Sequence, residues 1–169
     1  MKYAGLVRTD QLQIRTIDSE ASLASIAEPW RQLAAQQSNL LPTQCHEYFV
    51  AFREAFALAA PDFKLFACYR SGELVALLPT RFKRKSAFRI DITILEFVNL
   101  PMPIRDILIA PEVSLSDVVN CLHVHLKDQW PWIYMHFKAV PNSSPLIKQT
   151  RGLTIRQEVC GMSNAIDVA

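Results

Sequence analysis

The sequence predicts a single mixed α/β domain with a central, mostly antiparallel sheet flanked by helices. Two apolar segments, residues 65–70 and 73–78, flank Ser71-Gly72, a pair that supplies the positive φ of a tight hairpin turn. Segments with helical periodicity precede and follow this hairpin. Half of the 169 residues are hydrophobic, enough to bury one sizeable core. We therefore interpret the hairpin as the centre of a sheet in a one-domain chain spanning 1–169.

The composition argues against several classes of protein. A net charge of +2 is far from the concentrated positive charge of nucleic-acid-binding domains, so no nucleic-acid partner is expected. Four glycines leave no GxxxxGK or GxGxxG loop to cradle a phosphate. The four cysteines form no CxxC pair, and neither a secretory segment nor a membrane span is recognisable. We expect reduced thiols and a cytoplasmic location.

The first third of the chain reads as a strand followed by helices. Residues 12–17 alternate between apolar and polar, which predicts a half-buried strand. Asp18 and Ser19 suit a helix N-cap, and Pro29 predicts a break into two short helices. Another helix is predicted from about residue 44 to 58. Its predicted core face consists of Tyr48, Phe49, Phe52, Ala55 and Phe56.

The segment that follows the hairpin in the sequence is rich in positive charge. Pro79 lacks an amide donor, so we expect the second strand of the hairpin to bend or lose pairing there. Five positive charges then fall within residues 81–89. The sequence leaves two interpretations open: a solvated loop between strands, or a surface for an anionic substrate or phosphate. Another strand is predicted over 90–98.

A proline-punctuated loop over 99–106 precedes the short apolar run 107–110. Because loops carry binding residues more often than scaffolds do, Arg105 and Asp106 are candidates for substrate binding. An ordinary Arg-Asp turn pair is the alternative. The remaining predicted elements are a helix over 115–128, a strand over 132–138, a short helix from Ser143 or Ser144, a strand over 153–159 and an unfinished strand over 165–169.

The sequence identifies no catalytic acid or base and no metal site. His123 and His125 lie two positions apart on a predicted helix, which places them on different faces. Cys45 and His46 are adjacent on a helix and point about 100° apart, so they do not form a nucleophile pair. His136 is interpreted as a packed strand residue rather than a general base.

Several short motifs carry a family resemblance. They are Trp30-Arg31-Gln32-Leu33, the aromatic helix around Tyr48 and Phe52, GELVALLP at residues 72–79, Arg105-Asp106-Ile107-Leu108 with Pro111, and Trp132. Together with the order of predicted elements, they resemble the CelD/BcsL-type acetyltransferases, relatives of the FemAB peptidyltransferases in the GNAT superfamily. The resemblance implies a GNAT-like acyl-CoA N-acyltransferase fold, and acetyl-CoA as the cofactor of the whole family protein.

Proteins of that family join two GNAT-like halves, and this chain resembles the amino-terminal half. The GNAT pyrophosphate signature, Arg or Gln followed by x-x-Gly-x-Gly or Ala, should follow the last meander strand. This sequence has prolines and no glycine there. We therefore expect a half that binds no CoA alone and supports an acceptor site for acyl transfer to an amine. The expected partner is a second GNAT-like half, or a second copy bound through exposed apolar surface.

Two alternatives remain open from the sequence. The first is a small autonomous N-acyltransferase that binds CoA unconventionally, through Arg81, Lys83, Arg84 and Lys85. The second is a non-catalytic interaction or dimerisation module that presents an apolar sheet edge to its partner. The acceptor amine is not identified by the sequence in any of these cases.

Overall fold

The computed structural model describes residues 12–56, 63–87, 90–98, 105–127, 133–141, 143–148, 155–160 and 163–168. The strands are β1 (Gln13–Ile17), β2 (Lys64–Arg70), β3 (Glu73–Ala87), β4 (Ile90–Phe97), β5 (Leu108–Ile109), β6 (Ile133–Val140), β7 (Ile155–Cys160) and β8 (Ser163–Val168). The helices are α1 (Glu20–Ser25), α2 (Ala27–Ala35), α3 (His46–Ala55), α4 (Leu115–Lys127) and α5 (Pro145–Lys148), with a 3-10 turn over Pro42–Gln44.

These strands form one sheet in the order β1-β2-β3-β4-β6-β8-β7, with β5 paired to β3 beside this path. The pair β4–β6 is parallel, and α4 provides the crossover between them. The other pairs of this sheet are antiparallel. The mixed α/β class with a mostly antiparallel central sheet is therefore confirmed. The segment predicted as an unfinished strand becomes β8, which is inserted between β6 and β7.

The predicted hairpin is present. Strands β2 and β3 pair antiparallel, and the turn between them has positive φ at both Ser71 (53°) and Gly72 (88°). Two positive φ values are what a two-residue turn needs to match the right-handed twist of its strands. The hairpin also lies at the centre of the core. Its fully buried side chains include Leu65, Ala67, Cys68, Ala76, Leu77 and Leu78.

The basic segment is a strand rather than a loop, which corrects one sequence interpretation. β3 continues through Pro79 to Ala87, and residues 80–87 pair with β4. Pro79 is tolerated because its carbonyl accepts the Val98 amide, so its amide-lacking nitrogen faces β4 and the β2 ladder is untouched. Residues 88 and 89 lie outside the described part of the chain.

Helices cover both faces of the sheet. α2 and α3 lie on the face of Leu65, where Phe49 of α3 meets the Phe63 ring edge-on at 5.4 Å. α4 lies on the opposite face, where His125 contacts Thr16 and Phe66. The predicted stripe of α4, Leu115, Val118, Val119, Leu122 and Leu126, is buried as expected. Within the described residues, none of the helices combines the length and the apolar character needed to cross a membrane.

Two helix predictions need correction in detail. The break between α1 and α2 falls at Ile26, so Pro29 occupies the first turn of α2, where a missing amide costs little. α3 ends at Ala55, and the Phe56 side chain, predicted to face the core, is 59% exposed. The N-cap prediction is confirmed, because the Ser19 hydroxyl accepts the Ser22 amide at 3.2 Å.

Candidate functional site

The ladder between β3 and β4 stops at Pro79. Val98 donates its amide to the Pro79 carbonyl at 3.1 Å, and the proline has no amide to donate in return. On the same edge of β3, β5 pairs with Ala76 and Leu77. The amide of Ala110 closes this second ladder on the Val75 carbonyl at 2.8 Å. An interruption in the middle of the sheet results.

A cleft occupies this interruption. It is lined by Thr43, Pro79, Phe97, Val98, Arg105 and Asp106, and it contains about 180 Å³ of empty space, part of it open to solvent. Ligand pockets for whole cofactors usually contain several hundred Å³. The space between these side chains encloses no cavity of that kind, so the cleft is a narrow surface depression.

Three adjacent strands place a row of charged and titratable side chains beside the cleft. Arg81 of β3 donates from Nε and Nη2 to Oε1 of Glu96 at 2.8 and 2.6 Å. Glu96 of β4 lies in register with His136 of β6. Because residues in register share a face of the sheet, a guanidinium, a carboxylate and an imidazole form one row on the α3 side.

Sequence reasoning assigned no role to Glu96 and interpreted His136 as a packed strand residue rather than a general base. The available signal was local: Glu96 follows Ile92 and Ile94 on the same face of β4, where an apolar residue would be expected. His136 becomes the neighbour of Glu96 because the crossover through α4 places β6 parallel to β4. No short-range sequence pattern reveals that pairing. Arg81 was singled out as a loop cation, and in the structure it is the ion-pair partner of Glu96.

Arg105 belongs to the same electrostatic neighbourhood. Its pKa is lowered by burial and then by the charge of Arg81, while Glu96 and Tyr48 act in the opposite direction. The fold thus brings a predicted substrate residue, Arg105, next to a predicted cofactor residue, Arg81. Whether either binds a ligand stays a prediction.

Asp106 lines the cleft but is 8% exposed, and its carboxylate is engaged by the protein. Oδ1 accepts bonds from the Ser144 hydroxyl at 2.5 Å and from the Ile107 amide at 2.9 Å. Burial raises the pKa of Asp106 to about 6, and these two bonds oppose the rise. The Ser144 hydroxyl also accepts the Leu146 amide at 2.9 Å, which ties Asp106 to the start of α5.

Buried amide side chains support the segment that carries Arg105. Gln44 donates from Nε2 to the Ile107 carbonyl at 2.8 Å and accepts the Leu41 amide at 2.9 Å. Trp30 donates its indole N–H to the Gln44 carbonyl at 2.7 Å. Because these groups are buried and bonded, residues 105–107 are fixed against the helical layer.

The basic strand does not converge on one point. Lys83, Arg84 and Lys85 are exposed in the second half of β3. Alternation along the strand places Lys83 and Lys85 on the face of Arg81 and places Arg84 on the opposite face. These four cations therefore cannot all contact one phosphate group of a ligand. Their predicted role in CoA binding remains a prediction.

A pyrophosphate bound at the start of α4 would need particular groups from the segment between β4 and α4. A phosphate seat at a helix N-terminus needs free backbone amides and no competing anions. Here the Ala110 amide bonds Val75, the Val113 amide bonds the Ala110 carbonyl at 3.0 Å, and residues 98–114 contain no glycine. Asp117 places an exposed carboxylate in the first turn of α4, and the exposed Glu112 carboxylate accepts a bond from Arg70 at 3.1 Å. Among the described residues of this segment, the Ala110 and Val113 amides are therefore not available to a pyrophosphate, and Asp117 disfavours one.

The other reactive side chains are engaged in packing. Burial raises the pKa of the Cys45 thiol, followed by the charge of Glu47, while burial and the charge of Arg31 lower the pKa of His46. Both effects oppose a thiolate–imidazolium pair. Among the described residues, no three His, Cys, Asp or Glu side chains come together as metal ligands.

No family model matches the chain, and no curated protein matches it. Solved structures do resemble it. A putative GNAT-family acetyltransferase from Desulfovibrio desulfuricans is 9% identical, with a TM-score of 0.52 over 93% of this chain and 96% of that one. An acetyltransferase from Thermus thermophilus is 12% identical, with a TM-score of 0.52 over 93% of this chain and 97% of that one.

The ribosomal-protein-S18-alanine N-acetyltransferase from Escherichia coli is 11% identical, with a TM-score of 0.50 over 93% of this chain and 91% of that one. At such low identity, the likeness carries information about the fold and not about the ligands. The chain has the fold of the GNAT acetyltransferases.

Proposed function

We propose that this chain is the acceptor-side half of a GNAT-type N-acyltransferase of the CelD/BcsL type. In this proposal a second GNAT-like half, or a second copy of the chain, holds acetyl-CoA and supplies the acyl group. One observation carries the proposal: just before α4 the amides of Ala110 and Val113 bond carbonyls of the protein, and exposed carboxylates lie beside the start of the helix, that of Asp117 and that of Glu112, which pairs with Arg70. An anion is disfavoured beside these carboxylates.

The row on the sheet supports an acceptor role. An amine acceptor is an ammonium ion in neutral water and must lose a proton before it attacks a thioester. Glu96 offers a carboxylate that Arg81 fixes in place, and His136, next in register, adds an imidazole, a group that serves as a general base in many enzymes. The row thus suits attraction and deprotonation of an amine.

The autonomous acyltransferase is the second candidate, and one observation favours it. Arg81, Lys83 and Lys85 share a face of β3, and Lys83 and Lys85 are exposed. Such a row creates a positive potential that attracts phosphates. In this alternative the chain holds CoA along the strand rather than at the N-terminus of α4.

Calorimetric titration of the chain with acetyl-CoA separates the two candidates. The proposal predicts no saturable heat at micromolar ligand, whereas micromolar binding contradicts it. If binding occurs, the variants Lys83→Ala and Lys85→Ala test the alternative, with the exposed α4 residue Lys127→Ala as the matched control. Weakening by the two strand variants alone would establish the alternative. Equal binding by all three variants would remove the strand from the site.

A further inference from the structure

The second half of β3 extends beyond its neighbour β2. The last pair between these two strands joins Lys64 to Thr80, whereas the pairing of β3 with β4 continues to Ala87. Residues 81–87 therefore have a strand on one side, and within the described part of the chain no strand pairs with their other side. The four consecutive residues 83–86 are exposed. This segment is an open edge of the sheet.

The direction of the backbone groups at this edge follows from Pro79. Its carbonyl faces β4, because it accepts the Val98 amide. Successive residues of a strand direct their backbone groups to opposite sides, so Arg84 and Ser86 direct their amides and carbonyls away from β4. The open edge thus presents the donors and acceptors of Arg84 and Ser86 to a further strand.

Three cations accompany this open edge. Lys83 and Lys85 lie on one face of β3 and Arg84 lies on the other, and none of the three forms an ion pair with another described residue. Like charges at opposite positions of neighbouring strands are destabilising, so this edge disfavours pairing with the same edge of a second copy. Opposite charges at those positions are stabilising, so the edge favours an acidic strand.

We propose that the open edge binds an extended acidic segment of another protein, which joins the sheet as a strand beside β3. Backbone bonds to Arg84 and Ser86 hold the segment, and three successive acidic residues pair with Lys83, Arg84 and Lys85. Three in succession are required because neighbouring residues of the added strand face opposite sides of the sheet. The 169 residues of this chain contain no two adjacent acidic side chains, so the matching segment has a different sequence.

The geometry of the edge favours a peptide over other polyanions. A lipid surface or a nucleic-acid backbone attracts cations, but neither offers the regular amides and carbonyls that pair with Arg84 and Ser86. The cations also lie on both faces of the edge, and a strand extends its side chains to both faces. An acidic strand therefore satisfies the backbone and the side chains together.

Hydrogen exchange tests the proposal with two peptides, acetyl-TVEEEVT-amide and its neutral counterpart acetyl-TVQQQVT-amide. Each is titrated into the isotope-labelled chain without acetyl-CoA, and NMR follows binding and the exchange of the backbone amides of residues 83–86. We expect the acidic peptide to bind about tenfold more tightly than the neutral one, because three opposite-charge pairs form across the strands. At saturation it should slow the exchange of the Arg84 and Ser86 amides.

Two variants separate the backbone from the charges. Ser86→Pro removes one amide donor from the open edge and no bond to β4, so the acidic peptide should no longer slow exchange at Arg84. Arg84→Gln should reduce the preference for the acidic peptide about threefold. The matched control is Lys127→Gln, which removes an exposed cation of α4 and should leave preference and protection unchanged. Slow exchange at Lys83 and Lys85, which bond toward β4, shows that a variant has kept its fold.

Equal binding of the two peptides by the wild type overturns the proposal, and so does an absence of binding. A preference for the acidic peptide without slower exchange at Arg84 and Ser86 also overturns it, because any polyanion, including a lipid surface or a nucleic acid, would then serve. Undiminished protection of Arg84 in a folded Ser86→Pro chain contradicts the added strand. Since acetyl-CoA takes no part, the outcome is independent of the calorimetric test of the proposed function.

Discussion

The Pro79 carbonyl accepts the Val98 amide at 3.1 Å, and Pro79 has no amide to return. This one-sided bond ends the ladder between β3 and β4 while leaving the β2 side of β3 paired. Further along the same edge of β3, β5 pairs with Ala76 and Leu77. A proline in a central strand thus creates the space that Arg105 and Thr43 line.

The first prediction restores the missing donor. Pro79→Val supplies a backbone amide that faces the Val98 carbonyl, in a residue type that strands favour. We expect one added ladder bond, worth about 1 kcal/mol, and slow hydrogen exchange at the new amide. If the valine amide exchanges as fast as that of exposed Ser86 does, the edge assigned to Pro79 is wrong.

The second prediction concerns the pH dependence of stability through Asp106. Its pKa in the folded protein is raised from 3.8 to about 6, so the folded state favours the protonated form. The stabilisation is complete below the unfolded pKa and is lost as pH rises through the folded one. Relative to Asp106→Asn, the wild type should lose about 1 to 2 kcal/mol of unfolding free energy between about pH 5 and pH 7.5.

Urea denaturation of both proteins at several pH values measures this difference. Asp117→Asn is the matched control, because Asp117 is an exposed carboxylate in the first turn of α4. The difference in unfolding free energy between Asp117→Asn and the wild type should change much less over the same pH range. A wild-type protein that gains stability relative to Asp106→Asn as pH rises would contradict the burial of this carboxyl group.

The third prediction tests the support beneath Arg105. Gln44→Leu preserves side-chain size but leaves the Ile107 carbonyl and the Leu41 amide without their partner. We expect a loss of about 2 to 5 kcal/mol in unfolding free energy, because two buried polar groups lose a bond. Gln32→Leu is the control, since Gln32 is exposed and bonds only Glu28 among the described residues. Comparable losses in the two variants would disprove the supporting role.

The fourth prediction concerns the turn of the hairpin. A Cβ at Gly72 meets no atom within 4 Å, so the cost of Gly72→Ala is conformational and arises from φ of +88°. We expect a loss of about 1 to 2 kcal/mol. Ser71→Gly at φ +53° is the reciprocal control and should change stability by less than about 0.5 kcal/mol. Equal losses in the two variants on chemical denaturation would argue against this turn geometry.

The fold could largely be predicted because its signals are local. Ser71-Gly72 predicts a turn because both residues tolerate a positive φ. The apolar residues of α4 recur at helical spacing and therefore predict a helix with one buried face. Pro79 was recognised as a missing donor, but the sequence does not reveal which edge of β3 loses the bond. The strand was therefore expected to end where it in fact continues to Ala87.

The site could be predicted only in part, because its residues meet through long-range pairing. Arg105 and Asp106 were selected from loop position alone. In the structure the charge of Arg81 acts on Arg105, whereas the Asp106 carboxylate accepts a hydrogen bond from Ser144. Glu96 and His136 become neighbours only after the parallel crossover through α4. A sequence period describes one strand and carries no information about the register of two distant ones.

The most direct test of the central claim is an NMR titration of the chain with acetyl-CoA, followed at the backbone amides of residues 112–118. The account predicts no saturable shifts there, because the Asp117 carboxylate opposes a phosphate and the Val113 amide already bonds the Ala110 carbonyl. Saturable shifts at these amides with micromolar acetyl-CoA would show that the N-terminus of α4 holds the cofactor and would contradict the account.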